Sequence, residues 1–405
     1  MVEVYSFKSN NSLSRDQLNY ENGSVKNIHY GDIHTKFPTL FDITKQMVPF
    51  INPSESLEGF RPENDCAEGD MIFADASEDL EDIGKSIEIV RLNGERVVSG
   101  QHTILARPND DSLVIGFGAY LFKSRRVRSQ IQKESQGSKV LGISATRLTK
   151  IQLPIPSTKA EQQKIADCLS SVDALIAAQA RKLDALKTHK KGLMQQLFPR
   201  EGETQPRIRF PEFLDAGEWE EKKLGNIVEI RSGNSPSKYE LSTQGSFPFV
   251  KVEDLNNCTK YQADSREYCD ESGDAIPRCS VIFPKRGASI ELNKIRITAS
   301  EILIDTNLMA ISPDRTATTE FLYYFLINVG LAQIADTSTI PQINNKHIIP
   351  FKILIPSTSE QESIADCLSS VDDLIAAQTQ KLDALKTHKK GLMQQLFPSP
   401  GEVEA

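Results

Sequence analysis

Residues Ile165 to Pro199 read IADCLSSVDALIAAQARKLDALKTHKKGLMQQLFP, and residues Ile364 to Pro398 read IADCLSSVDDLIAAQTQKLDALKTHKKGLMQQLFP. The copies differ only at Ala174/Asp373, Ala180/Thr379 and Arg181/Gln380. Their flanks have diverged almost completely, so both copies must present one surface to something that is itself the same twice. In the first copy a seam advances in alternating steps of four and three, through Ile165, Leu169, Val172, Ile176, Gln179, Leu183, Leu186, Lys190, Leu193 and Leu197. The second repeats it at Ile364, Leu368, Val371, Ile375, Gln378, Leu382, Leu385, Lys389, Leu392 and Leu396. This is the heptad seam of a coiled coil, narrower than the face of a helix lying on a globular core.

Pro156 with Thr158-x-x-Glu161, and Pro356 with Ser357-x-x-Glu360, predict a capping box at each helix start. Pro199 and Pro398 predict the stops. Lys187, Lys190 and Lys191, with Lys386, Lys389 and Lys390, sit where the negative end of the helix dipole favours cations. At about 1.5 Å per residue each helix is roughly 55 Å long. A narrow apolar seam needs a partner, and the nearest is the other copy. The polar Gln179, Lys190, Gln378 and Lys389 would cost stability but pin the register. Antiparallel packing would carry the flanking segments to opposite ends; the alternative is two separate bundles.

The chain of 405 residues has room for two or three domains with sizeable cores. It is 39% hydrophobic and 25% charged, with no apolar run able to span a bilayer and no signal peptide, which predicts a cytoplasmic protein. Six scattered cysteines, without a CxxC or histidines at ligand spacing, read as reduced thiols. A net charge of −8 does not suit a nucleic-acid binder unless basic residues are concentrated locally or partner subunits supply part of the grip.

The fold class expected is α+β. Residues 1–156 form a β-rich mixed domain, 157–199 the first helix, 200–206 a polar linker, 207–356 a second β-rich domain, 357–398 the second helix, and 399–405 a tail. In the first domain strands are expected over Lys26–His29, Asp70–Phe73, Ile87–Arg91, Thr103–Ala106 and Lys150–Ile155, with one clear helix around Phe117–Ile131. The domains read as diverged duplicates. Val2-Glu3-Val4 matches Val228-Glu229-Ile230, Asp70–Phe73 matches Ser280–Phe283, Thr103–Pro108 matches Leu308–Pro313, and Lys150–Pro156 matches Pro350–Pro356. The second domain opens with an extra stretch, Arg207–Ile227, holding the only tryptophan, Trp219. The first is therefore expected to lack an edge element.

This pattern resembles the specificity subunits of type I restriction-modification systems over the whole chain. The most specific parts are the duplicated EQ…IADCLSSVD…KLDALKTHKKGLMQQLFP, the Ile-Pro-Ser-Thr lead into each helix, and Lys26-Asn27-Ile28-His29-Tyr30-Gly31-Asp32-Ile33, similar to the early strand of a target recognition domain. Phe249–Leu255 holds the equivalent place in the second domain. The resemblance implies that each variable domain reads one half of a split, asymmetric site in double-stranded DNA. It implies an antiparallel coiled coil that fixes their separation. Two modification subunits would dock there, carrying S-adenosylmethionine to methylate adenine at N6, and restriction subunits would join them, using ATP and Mg. The chain itself would hold no cofactor and no metal.

Base readout in the major groove calls for Arg or Lys at guanine and Asn or Gln at adenine, whereas phosphates take cations, hydroxyls or backbone amides. The candidates in the first domain are His29, Tyr30, His34, Gln101, His102, Arg125, Arg126 and Lys139. Those in the second are Lys251, Lys285, Arg286, Asn293, Lys294, Arg296, Gln342, Asn344 and Asn345. Lys285-Arg286-Gly287 stands out, because glycine lets a backbone approach a phosphate closely. For each, a plain surface residue is the competing reading. Catalytic motifs are missing: there is no G-x-x-x-x-G-K-[ST], and Gly116-Phe117-Gly118 lacks a third glycine. A non-catalytic DNA reader therefore leads, ahead of a self-sufficient methyltransferase or nuclease and a structural adaptor that holds proteins.

Overall fold

A computed structural model describes residues 1–271, 273–336 and 340–397. It divides into two compact units, Met1–Ala180 with Lys381–Ala405, and Arg181–Gln380. Each is mixed α/β, built on a five-stranded sheet.

In the first unit the sheet order is Tyr5–Lys8, Thr103–Pro108, Met71–Ala74, Ser86–Arg91, Leu40–Asp42. Neighbours run antiparallel except the last pair. The central strand is buried on both faces, which is why it reads as an unbroken apolar run rather than an alternation. Met71 and Phe73 enter a core with Phe117, Tyr120 and the long-helix residues Ile165 and Leu169. Ile72 and Ala74 point into a separate core on the opposite face.

The second unit repeats the plan with Val228–Ser232, Leu308–Pro313, Val281–Pro284, Arg296–Thr298 and Tyr261–Gln262, again antiparallel except the last pair. Val281 and Phe283 face the core that holds Ile364 and Leu368, and Ile282 faces the other.

Three expectations need correction. Tyr5 stands opposite Pro108 as Val228 stands opposite Pro313, so Tyr5, not Val2, matches Val228. Residues 1–4 instead form a turn, with the Val4 and Tyr5 amides each donating to the Met1 carbonyl at 3.0 Å. Lys150–Ile155 is not a strand. Its counterpart Lys352–Ile355 pairs with Glu220–Lys223, which comes from the extra opening stretch, and among the described residues the first unit offers no such neighbour. There the Met1 ammonium donates to the Ile151 carbonyl at 2.6 Å. The helix foreseen at Phe117–Ile131 is two, Phe117–Leu121 and Arg125–Glu134. Extended backbone at Ser124 separates a first helix buried all round from a second that is buried only through Val127 and Ile131.

The repeated stretches form helices Lys159–Leu197 and Thr358–Leu396, 39 residues each. Every seam position is buried or half-buried. Pro398 and the tail lie outside the described residues. The capping boxes form by half: the Glu161 and Glu360 amides donate to Thr158 Oγ1 and Ser357 Oγ at 3.2 and 3.3 Å. The Glu360 carboxylate goes elsewhere, to Arg209 and to Trp219 Nε1, because the opening stretch of the second domain packs over that helix start. Glu161 stays exposed. Among the described residues no helix is long and apolar enough to cross a membrane.

Candidate nucleic-acid interface

In each unit the sheet has one end tied to a long helix and one end free. The tie is a buried glutamine. Gln162 Nε2 donates to the carbonyls of Ser112 and Pro156 at 3.1 and 3.2 Å, and its Oε1 accepts from the Val114 amide at 3.0 Å. Gln361 does the same with the Thr316 and Pro356 carbonyls and the Thr318 amide, at 2.9, 3.0 and 2.8 Å. Both tied segments follow the ends of the strands Thr103–Pro108 and Leu308–Pro313. At about 3.4 Å per residue the opposite ends of those six-residue strands lie roughly 20 Å away. The loops clustered at these free ends carry much of the polar chemistry.

At the first free end the Asp75 amide donates to the His102 carbonyl at 3.1 Å, and the Ile143 amide to the Asp75 carbonyl at 2.8 Å. Gln136 and Gly142 exchange backbone hydrogen bonds of 2.9 and 2.7 Å, closing a loop that exposes Lys139 and Val140. Gly137, at φ +125°, is obligatory there, since a Cβ would lie 2.0 Å from the Val140 carbonyl oxygen. The Tyr30 ring lies 4.7, 5.3 and 6.1 Å from those of His29, His102 and His34. His102 Nδ1 is 3.2 Å from Asp75 Oδ1, and His34 Nε2 is 3.0 Å from the Ala76 carbonyl. Beside His102 opens a cleft of about 480 Å³ bordered by Asn10, Asn11, Phe60, Arg61 and Gln101.

The second free end has the same backbone. The Lys285 amide donates to the Asn307 carbonyl at 2.8 Å, the Ile343 amide to the Lys285 carbonyl at 3.0 Å, and Asp336 and Gln342 exchange bonds of 2.9 and 3.0 Å. Asn307 is held by Asp305, which accepts from its amide at 2.8 Å and its Nδ2 at 3.1 Å. Arg286, Gln342, Asn344, Asn345 and Lys346 are exposed. Burial, with the neighbouring Arg286 cation, lowers the Lys285 ammonium from its usual range.

The sequence candidates divide accordingly. Tyr30, His34, Gln101, His102 and Lys139 gather at the first free end, and Lys285, Arg286, Gln342, Asn344 and Asn345 at the second. Others serve the framework. His29 is buried and accepts from the Gly31 amide at 3.2 Å, and burial lowers its imidazole from the ordinary range. Lys251, in the matching place after the other early strand, is ion-paired with Glu267. Asn293, at φ +51°, donates to the Ile327 carbonyl and accepts from the Leu331 amide, joining two helices, and Lys294 beside it is half-buried. Arg296 spends its guanidinium on the carbonyls of Leu255, Ile295 and Cys258. Arg125 and Arg126 begin a ten-residue helix that reaches the loop cluster only at its other end, about 15 Å on.

Asp75, Asn307 and Asp305 were missed by sequence reasoning. The signal was available: extending the match of Asp70–Phe73 with Ser280–Phe283 by two residues sets Asp75 against Lys285. Among the described residues no group of three or more His, Cys, Asp or Glu could hold a metal ion.

Comparison with known proteins agrees with this plan. The model of the type I restriction modification DNA specificity domain matches twice, over residues 8–188 and 216–387. A Methanocaldococcus jannaschii protein provisionally named as the type I restriction enzyme MjaX specificity subunit is 26% identical over 344 residues, covering 81% of this chain and 77% of its own length. The MjaVIII specificity subunit of the same organism is 24% identical over 296 residues, 69% of each chain. In fold, the chain is similar to the crystal structure of a type I restriction-modification S subunit from M. genitalium, with a TM-score of 0.57 at 17% identity over 98% of this chain and 94% of that one. A chain from a structural study of type I system assembly gives 0.59 at 17% identity, over 98% and 95%. Two family matches, one on each half of a duplicated chain, make this protein a member of the type I restriction-modification DNA specificity family, a specificity subunit whose work is DNA recognition.

Proposed function

We propose that each domain of this chain reads one half of a bipartite, asymmetric site in double-stranded DNA, and that the two long helices pair antiparallel as a coiled coil to set the spacer. The observation that carries this reading is the double construction: one fold twice, tied at one end by the same glutamine, with different side chains on the same loop backbone at the free end. Antiparallel pairing is supported by two ion pairs, Asp173 with Lys389 and Lys190 with Asp372. From one pair to the next the position rises by 17 on the first helix and falls by 17 on the second.

The helices also serve as the docking scaffold for two modification subunits, which bring S-adenosylmethionine and adenine N6 methylation, and through them for restriction subunits using ATP and Mg. Two copies of one exposed surface recruit two copies of one partner. Leu175 and Leu374 support this, being off the seam and 56% and 51% exposed at the same place in each copy. Catalysis then belongs to the partners and recognition to this chain.

Sequencing the methylated positions in DNA from cells expressing the assembled complex tests the reading. A split motif with a fixed gap is expected, and one added heptad in both helices should change the gap; an unaltered gap would refute the ruler. Leu175→Asp with Leu374→Asp should release the modification subunits from a correctly folded chain. Full assembly of that double variant on a native gel would refute docking at this surface.

A further inference from the structure

The residue that follows the central strand changes sign between the domains: Asp75 after Met71–Ala74, Lys285 after Val281–Pro284. Its backbone is held identically in both, donating to His102 or Asn307 and accepting from Ile143 or Ile343. The difference therefore lies in the side chain alone. Asp75 shares Oδ1 with His102, while its Oδ2 has no side-chain partner among the described residues, and the side chain is 30% exposed. Lys285 and Arg286 make no side-chain hydrogen bond or ion pair among the described residues, although the Asp305 carboxylate that holds Asn307 also attracts the Lys285 ammonium.

A carboxylate facing DNA is repelled by phosphate and gains only by accepting a hydrogen bond from a base. In the major groove the donors are the exocyclic amino groups, N4 of cytosine and N6 of adenine; guanine N7 and O6 and thymine O4 only accept. Lys and Arg only donate, and their best target is the guanine N7/O6 pair. Resting on the DNA-reading function proposed above, we infer that Asp75 selects an amino-bearing base, cytosine or adenine, at one position of the first half-site, and that Lys285 with Arg286 selects guanine at one position of the second. His102 aims the carboxylate and is a positioning residue.

The test uses the full chain assembled with its modification subunits, on a randomised DNA library at fixed salt, with bound sequences and methylated positions read out. Asp75→Ala, which removes the carboxylate without supplying an amide that could itself read adenine, should relax one amino-bearing position in one half-site by about 5- to 150-fold and leave the other half unchanged. Lys285→Gln should shift one guanine in the other half toward adenine, which glutamine reads through N6 and N7. His102→Ala, which keeps the carboxylate, should retain the amino-bearing base. A uniform fall in affinity with the motif unchanged would make both residues phosphate or framework contacts and overturn the inference. So would relaxation by His102→Ala as great as by Asp75→Ala, or a relaxed position of the wrong base type. A wild-type complex without any sequence preference would instead overturn the DNA-reading function itself.

Discussion

Where the first domain meets the long helices, Tyr120 donates to Asp173, and Lys389 binds that aspartate and lies over the tyrosine ring, 5.5 Å from its centre. Where the second meets them, Tyr324 donates to Asp372, and Lys190 repeats both contacts, 5.2 Å from the ring. Burial raises both phenols above their ordinary range. Below these triads Phe397 packs on Phe117 in one unit, and Phe198 on Phe321 and Trp219 in the other. The domains are thus alike at their helix ends and unlike at their free ends. Each helix fits its own domain with its first half and the other domain's socket with its second. Part of the near-identity of the two stretches is therefore imposed from inside the chain. The docking proposed above would account for what remains exposed, such as Leu175 and Leu374.

The asymmetries left in this comparison can be tested. The largest expected effect is at the phenylalanine sockets. Phe198, 2% exposed among Trp219, Phe321 and Phe325, should cost about 3–5 kcal/mol on replacement by alanine. Phe397→Ala, with one aromatic neighbour among the described residues, should fall at the lower end. Urea unfolding of the two variants compares them, and equal losses would make the sockets equivalent after all.

Next is Arg209→Ala, which strands the Glu360 carboxylate, 1% exposed, and should cost roughly 3 kcal/mol. Glu161→Ala at the same place on the first helix is exposed and should stay within about 0.5 kcal/mol by the same assay.

Third is a pH dependence confined to the first domain. Glu88 stands opposite Met71 where Ile297 stands opposite Val281. Burial pushes its carboxyl up from the usual 4.5 to about 7, against the opposing pull of the Gly116 and Ala119 amides. An acid raised on folding holds its proton more tightly in the folded state, so its contribution to stability falls as pH rises from about 4.5 to about 7 and is level beyond. That loss is roughly 3 kcal/mol. Hydrogen exchange should show the slope in the first domain only, and Glu88→Gln should flatten it; an unchanged slope would assign it to another group.

The smallest effect belongs to the triads. Asp173→Asn and Asp372→Asn remove partly exposed ion pairs and should each cost about 1 kcal/mol or less. A loss several times larger, measured by the same unfolding, would mean that the lysines are register locks of a different order.

The sequence by itself determined the repeat, the long helices with their seams, and the central strands MIFA and VIFP. These features rest on local periodicity and on apolar runs that have only one way to be buried. It also placed several residues of both free ends, because they flank those strands. Only the tertiary structure decided that Lys150–Ile155 stays unpaired while Lys352–Ile355 becomes a strand, since that depends on a neighbour about 130 residues away in sequence. It likewise separated Arg296 and Asn293, whose polar groups are spent on carbonyls and amides of the fold, from the half-buried Lys285 and exposed Arg286, whose side chains make no hydrogen bond or ion pair among the described residues. Residue type sets what a side chain can bind; which atoms surround it sets what it has left to offer.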